Sequence, residues 1–265
     1  MKAKLRRRLG WALVAAAAFG AIWGSTQQLP FVIVEPGPAY NVLDSEGGEA
    51  VIRVNPPLDE NSAGVIHILT VYESGSPGNT PHFWELFTAF LSENKAIYPL
   101  DLVYPNGLTL KDQLTESAKA FEDSQRSALA AAGTVLPAGT LDNHAVTFGL
   151  TDVGGPSGGL AFSLGIIDKL SAGSLTGGKR IAVTGTIDPN GNVGAIGGIQ
   201  QKIYAARAVS DQFMVIPLGN CKELSRGMLE KIRVIPVASL TEALAVLRTI
   251  ASDGDVDSLA VCPAK

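Results

Sequence analysis

The sequence predicts an α/β or α+β fold preceded by one N-terminal transmembrane helix. Short β-branched runs alternate with stretches whose apolar residues recur at helical spacing through most of the chain. A basic terminus also runs directly into an uncharged apolar segment. With 265 residues and 46% apolar side chains, the chain has ample material for a packed core.

Residues 1–28 are read as a basic N-terminus and signal anchor. Lys2, Lys4, Arg6, Arg7 and Arg8 precede Leu9 to Gly24, a 16-residue run without charge. That length is a little short of the ~20 residues of a full span, so a cleaved signal peptide competes with an anchor. A small-x-small pattern at Ala18-Phe19-Gly20 would leave a short apolar region, whereas Trp11 and Trp23 suit the two interfaces of an anchor. The anchor is preferred. It puts the N-terminus in the cytoplasm and the rest of the chain outside it, as a single-pass protein of the cell membrane held through residues 9–24.

Leu29 to Val34 then reads as a strand closed by Glu35-Pro36-Gly37-Pro38, and a polar, turn-rich stretch follows. Gly64 to Tyr72 is the next strand, and Glu73 to Pro81 is a loop of Ser, Gly, Asn and Pro. From Phe83 to Leu91 the pattern turns helical, with Phe83, Leu86, Phe87 and Phe90 on one face read as ordinary core. A second helix covers Leu110 to Ala132, with Leu114, Ala118, Phe121 and Leu129 on one side and Gly133 as its stop. Residues 134–145 look like a connection between two parts of one domain, 29–133 and 146–250.

Val146 to Leu150 is a strand leading into Asp152-Val153-Gly154-Gly155-Pro156-Ser157-Gly158-Gly159, which places Ser157 at a strand-to-helix turn. Leu160, Ala161, Leu164, Ile167 and Leu170 make the next segment a buried helix. Arg180 to Ile187 is a strand, and Asp188-Pro189-Asn190-Gly191 is a strong turn. A helix from Ile199 through Ala208, strands at Phe213 to Pro217 and Ile232 to Val237, and a helix capped by Ser239 and Glu242 complete the domain. Residues 251–265 look like a loose polar tail.

Several classes of function are poorly served by this chain. A formal charge of −4 offers no basic face for nucleic acid. Cys221 and Cys262 are too few for a disulfide scaffold, although an exported domain would allow them to pair. His67, His82 and His144 stand apart, without a second ligand at zinc-like spacing, so no metal and no cofactor is expected. Gly173 to Lys179 approaches a phosphate loop, but Arg180 stands where Ser or Thr would hold magnesium, and the order is helix then strand. It reads as a helix stop.

The serine among glycines is a better candidate for chemistry. Its hydroxyl needs a base, and Lys202 lies in an uncharged run from Val193 to Ala206, with apolar Ile199 and Ala206 at helical spacing around it. Burial there would lower its pKa toward that of a working base. From the residues alone, a glycine-rich loop plus one helical lysine is also what an ordinary structural loop looks like.

The pattern Gly155-Pro156-Ser157-Gly158-Gly159-Leu160, then Thr184-Gly185-Thr186-Ile187, then Gly194-x-Ile196-Gly197-Gly198-Ile199-x-x-Lys202-x-x-Ala205-Ala206, resembles the proteolytic domain of Lon-type serine proteases. The resemblance is nearest to bacterial membrane-anchored Lon-like proteases without an ATPase module. Glu35-Pro36-Gly37-Pro38, Leu175-Thr176-Gly177-Gly178 and Pro217-x-Gly219-Asn220-Cys221 also suggest that subfamily. It implies an α/β Lon proteolytic-domain fold over residues 29–250. It also implies an ATP-independent endopeptidase acting on exported or envelope polypeptides, with Ser157 as nucleophile, Lys202 as general base and Thr184 orienting the lysine. Backbone N–H groups at Gly155 and at Ser157, next to Pro156, are the oxyanion-hole candidates. Lon domains tend to form rings, which leaves a homo-oligomer open.

Two departures stand out. Gly154 occupies the position where typical Lon proteases carry an acid, with Asp152 two residues earlier. The 134–145 connection has no room for the PDZ domain that anchored members often carry. A catalytically idle envelope scaffold is the competing expectation.

Overall fold

The computed structural model describes residues 11, 20, 24–58, 64–151, 153–171 and 174–263. Two compact units are present: residues 1–35 with 73–110, and residues 36–72 with 111–265. The expected part 29–133 is thus shared between them. Among the described residues no helix is long and apolar enough to cross a membrane, and the run Leu9 to Gly24 falls almost wholly outside those residues.

Along the chain, β1 (Phe31–Asn41) is followed by a small ribbon, β2 (Ser45–Glu46) and β3 (Glu49–Ala50), then by β4 (Ile52–Asn55) and β5 (Val65–Ser74). Next come α1 (Phe83–Phe90), β6 (Ala96–Pro99), α2 (Leu100–Val103), α3 (Leu110–Val135) and α4 (Thr140–Asn143). β7 (Ala145–Phe148) leads to α5 (Gly159–Lys169), and β8 (Arg180–Val183), β9 (Thr186–Ile187) and β10 (Val193–Gly194) precede α6 (Ile199–Ala208). The chain closes with β11 (Phe213–Pro217), α7 (Arg226–Leu229), β12 (Arg233–Val237) and α8 (Leu240–Ala251). This is a mixed α/β fold.

In the larger unit β12, β11, β8 and β5 lie side by side in parallel, with β1 beyond β5. Parallel strands bury both faces, and their side chains alternate between them. Ile181, Val183, Val215 and Ile235 pack with Leu160, Leu164 and Leu247 of α5 and α8. Ala182, Met214 and Val234 pack instead with Ile199, Ile203 and Ala206 of α6. Helix α5 is buried from Gly159 to Asp168, as an all-round apolar helix should be.

Several expectations need correction. β1 does not stop at Val34 but runs on through both prolines to Asn41. Prolines two residues apart withdraw donors from the same edge of a strand only, so the other edge can still pair. The polar, turn-rich stretch contains β4, which pairs antiparallel with β7 from Ile52↔Phe148 to Asn55↔Ala145. The expected strand 180–187 breaks after Val183. Helix α3 runs past Gly133 to Val135, and its first three turns bury nothing, which leaves Leu114 exposed although it shares a stripe with Phe121.

The tail is not loose. Cys262 is buried and forms a disulfide with Cys221, closing a separation of 41 residues. In the chain-entropy account a loop of that length contributes about 4 kcal/mol. Cys262→Ser is therefore expected to lower stability by up to that amount, read as an earlier denaturant midpoint.

In the smaller unit β1 pairs antiparallel with β6, from Phe31↔Pro99 to Val34↔Ala96. Leu86 and Ala89 of α1 pack there on Ile33, with Leu29, Phe31 and Ile97 around them. Phe83, Phe87 and Phe90, expected to be core, are exposed. An eight-residue helix on a two-stranded patch has one stripe to bury, and Leu86 and Ala89 fill it.

Candidate active site

The break after β8 creates the site. Thr184 and Gly185 leave the strand direction at its C-terminal end, the usual place for ligands in an open parallel sheet. There the Gly185 N–H donates to the Ser157 carbonyl at 2.8 Å, and the Leu160 N–H donates to the Gly185 carbonyl at 3.1 Å. These two bonds pin the turn between β7 and α5 to the end of β8, and so fix where the Ser157 hydroxyl points.

Lys202 arrives from the other face of the sheet. It lies one turn into α6, whose first turn starts from Gly198 in the left-handed region at φ 66°. A Cβ at Gly198 would also sit 3.0 Å from Val71 Cγ1, so conformation and space both demand glycine. Asn220, which is fully buried, holds the approach to this helix: its Oδ1 accepts from Ile196 N–H at 3.0 Å, and its Nδ2 donates to the Ile196 carbonyl at 2.8 Å.

The structure brings together the three side chains singled out in the sequence. Lys202 Nζ lies 2.5 Å from Ser157 Oγ and 3.2 Å from Thr184 Oγ1. The Thr184 hydroxyl donates in turn to the Ser157 carbonyl at 3.2 Å. Lys202 is 2% exposed, Thr184 is fully buried and Ser157 is half-buried. Burial alone pushes the Lys202 ammonium down to about 7. Near neutral pH the amine therefore has a substantial unprotonated fraction, with its nitrogen already in contact with a hydroxyl. This arrangement can take a proton from Ser157.

The backbone candidates differ from each other. Gly155 N–H donates to the Ser117 carbonyl of α3 at 2.9 Å and is committed in this conformation. Among the described residues, none accepts from Ser157 N–H. Gly154 has a structural reason: a Cβ there would lie 2.1 Å from Ser117 Oγ and 3.1 Å from Ser117 Cβ. The approach of α3 thus excludes a side chain at this point unless Ser117 moves. Asp152 lies outside the described residues.

Ser117 and Asn220 were not singled out as site residues. Asn220 lies within Pro217-x-Gly219-Asn220-Cys221, but nothing in that spacing reveals its bonds to Ile196, and Ser117 carries no sequence signal at all. Among the described residues, no three His, Cys, Asp or Glu side chains gather as a metal would require. His67 is buried, with Nδ1 2.8 Å from Asp211 Oδ1.

Residues 106–249, just over half of the chain, match the Lon protease (S16) C-terminal proteolytic domain. The chain is 34% identical over 93 residues to the Lon protease of Trichlorobacter lovleyi, covering 34% of this chain and 11% of that protein. It is 30% identical over 141 residues to the Lon protease of Azospirillum brasilense, covering 51% and 17%. With the archaeal Lon protease of Methanocaldococcus jannaschii it shares 26% identity over 210 residues, covering 76% and 30%. In all three the chain spans less than a third of the relative's length.

Proposed function

The chain belongs to the Lon protease (S16) C-terminal proteolytic domain family, a family of serine proteases, and from that premise we propose that it hydrolyses peptide bonds without ATP through a Ser157–Lys202 dyad. The observation that carries this reading is the 2.5 Å approach of a buried lysine amine to a serine hydroxyl. An N–H of Lys202 directed at Thr184 Oγ1 leaves the nitrogen lone pair for the Ser157 proton. As Oγ attacks the carbonyl carbon, Nζ takes that proton, and the negative charge moves to the carbonyl oxygen. Ser157 N–H is the donor best placed in sequence to meet it. Collapse of the adduct expels the amine, which takes its proton from Nζ and leaves an acyl-enzyme. Water then attacks the ester, Nζ accepts a proton from it, and return of that proton to Oγ frees the acid and restores the dyad.

We place this reaction outside the cytoplasm, on exported or envelope polypeptides, with residues 9–24 as the anchor. The basic residues before that run favour this orientation. The Cys221–Cys262 disulfide suits an oxidising compartment. The nearest approach to a phosphate loop, at Gly173 to Lys179, lacks the magnesium-binding hydroxyl, which supports ATP independence.

The test is to incubate the purified full chain with a fluorophosphonate, without nucleotide, and to locate the adduct by mass spectrometry. Phosphonylation of Ser157, with cleavage of unfolded casein in the same buffer, is expected. An unlabelled Ser157 in a protein that is folded by circular dichroism would overturn the reading and favour an idle scaffold.

A further inference from the structure

We infer that the outer face of α1 docks on the lipid bilayer, holding the smaller unit against the membrane surface. The face is apolar and continuous. Trp84 is 58% exposed, Phe90 is 78% exposed, and Phe83, Phe87 and Leu91 are exposed beside them. Positions 83, 84, 87, 90 and 91 share one side of a helix, next to the buried pair Leu86 and Ala89. The rings are organised: Trp84 meets Phe87 edge-on at 5.7 Å between centroids, and Phe83 stacks on Phe87 at 6.1 Å. Between Phe83, Leu86, Phe87 and Phe90 of the helix and Leu29, Phe31 and Ile97 lies an apolar groove of about 300 Å³.

Two observations select a bilayer as the occupant. The first is the length of the tether. The uncharged run Leu9 to Gly24 ends four residues before Gln28, which forms a β-bridge with His82, the residue capping α1. The Leu29 N–H donates to the Pro81 carbonyl at 3.0 Å and fastens the same junction. Four residues reach at most about 14 Å. A membrane-embedded run would therefore hold the start of α1 at the bilayer surface. The second observation is the chemistry of the face. Glu85 is the only charged residue of α1, and its carboxylate turns back to accept from His82 N–H at 2.7 Å. With that carboxylate engaged at the helix start, the helix carries no other charge to oppose burial of the tryptophan and phenylalanines at the headgroup boundary, where such rings partition.

This inference rests on the reading of residues 9–24 as an anchor, and its test separates the two. The full chain is reconstituted into vesicles of equal parts phosphatidylcholine and phosphatidylglycerol, with or without bromine on the lipid acyl chains. One variant, Trp11→Phe with Trp23→Phe, keeps only Trp84, and the other, Trp11→Phe with Trp84→Phe, keeps only Trp23. If α1 docks, Trp84 emission shifts to the blue and roughly half of it is lost to brominated lipid, as for a ring at the acyl boundary. Trp84 unquenched while Trp23 is quenched overturns the docking and leaves the anchor standing. Trp84 quenched while Trp23 is not supports docking without an anchor, and neither quenched overturns both. Shielding of Trp84 from aqueous acrylamide without lipid quenching overturns the docking in favour of a polypeptide, this chain or another, covering the face.

Discussion

Lys202→Met is expected to abolish peptide hydrolysis while making the fold more stable. The catalytic loss follows from the contact of Nζ with Ser157 Oγ, at 2.5 Å. Removing one member of a nucleophile–base pair costs on the order of 10⁴-fold or more in kcat. Ser157→Ala should cost about as much, and the double variant no more than either single one, because the two groups act in one step. The gain in stability has a separate origin. An ammonium stripped of water is disfavoured, whereas a methionine of similar length fills the same buried position without that penalty. The methionine forfeits the bond to Thr184 Oγ1, worth about 1 kcal/mol, but Thr184 keeps its own donation to the Ser157 carbonyl. Casein cleavage and urea unfolding of the same preparations measure both effects. Full activity in Lys202→Met would remove the base from the mechanism. Lower stability would mean that the lysine is solvated in a way its burial contradicts.

The parts of the site that were legible are those whose physics is local. A serine hemmed by glycines between a strand and an apolar helix must sit on a tight turn. A lysine in a long uncharged run must be buried or wasted. Thr184 came from the family resemblance, and what makes it reachable, the break of the strand at Gly185, was not visible in β-branched residues that run straight on to Ile187. The missed contacts are those made across the fold. Ser117 meets the nucleophile turn from α3, 38 positions earlier than Gly155, through a backbone carbonyl that any residue would supply. Asn220 reaches Ile196 over 24 positions. The outer face of α1 failed for another reason. Periodicity identifies a shared face but not what lies opposite it, so Phe83, Phe87 and Phe90 could not be told from core without knowing how little sheet α1 has to cover.

The pH dependence should show the buried lysine twice, once in catalysis and once in stability. Catalysis needs the unprotonated amine, and burial places Lys202 at about 7. The acid limb of kcat/KM should therefore bend near pH 7 and fall about tenfold for each unit below it. Stability follows from the unfolded chain, where lysine titrates near 10.4. Between about 7 and 10.4 the unfolded state holds a proton that the folded state has released, so stability rises with pH across that window. Below pH 7 both states are protonated and the penalty, on the order of 5 kcal/mol, is fully present; above 10.4 it is gone. Lys202→Met lacks this linkage. Its stability advantage over the wild type should be widest at and below pH 7 and shrink steadily toward pH 10, which parallel urea titrations would follow. A constant gap across that range would show that Lys202 titrates normally in the folded protein, and the acid limb would then have to come from another group.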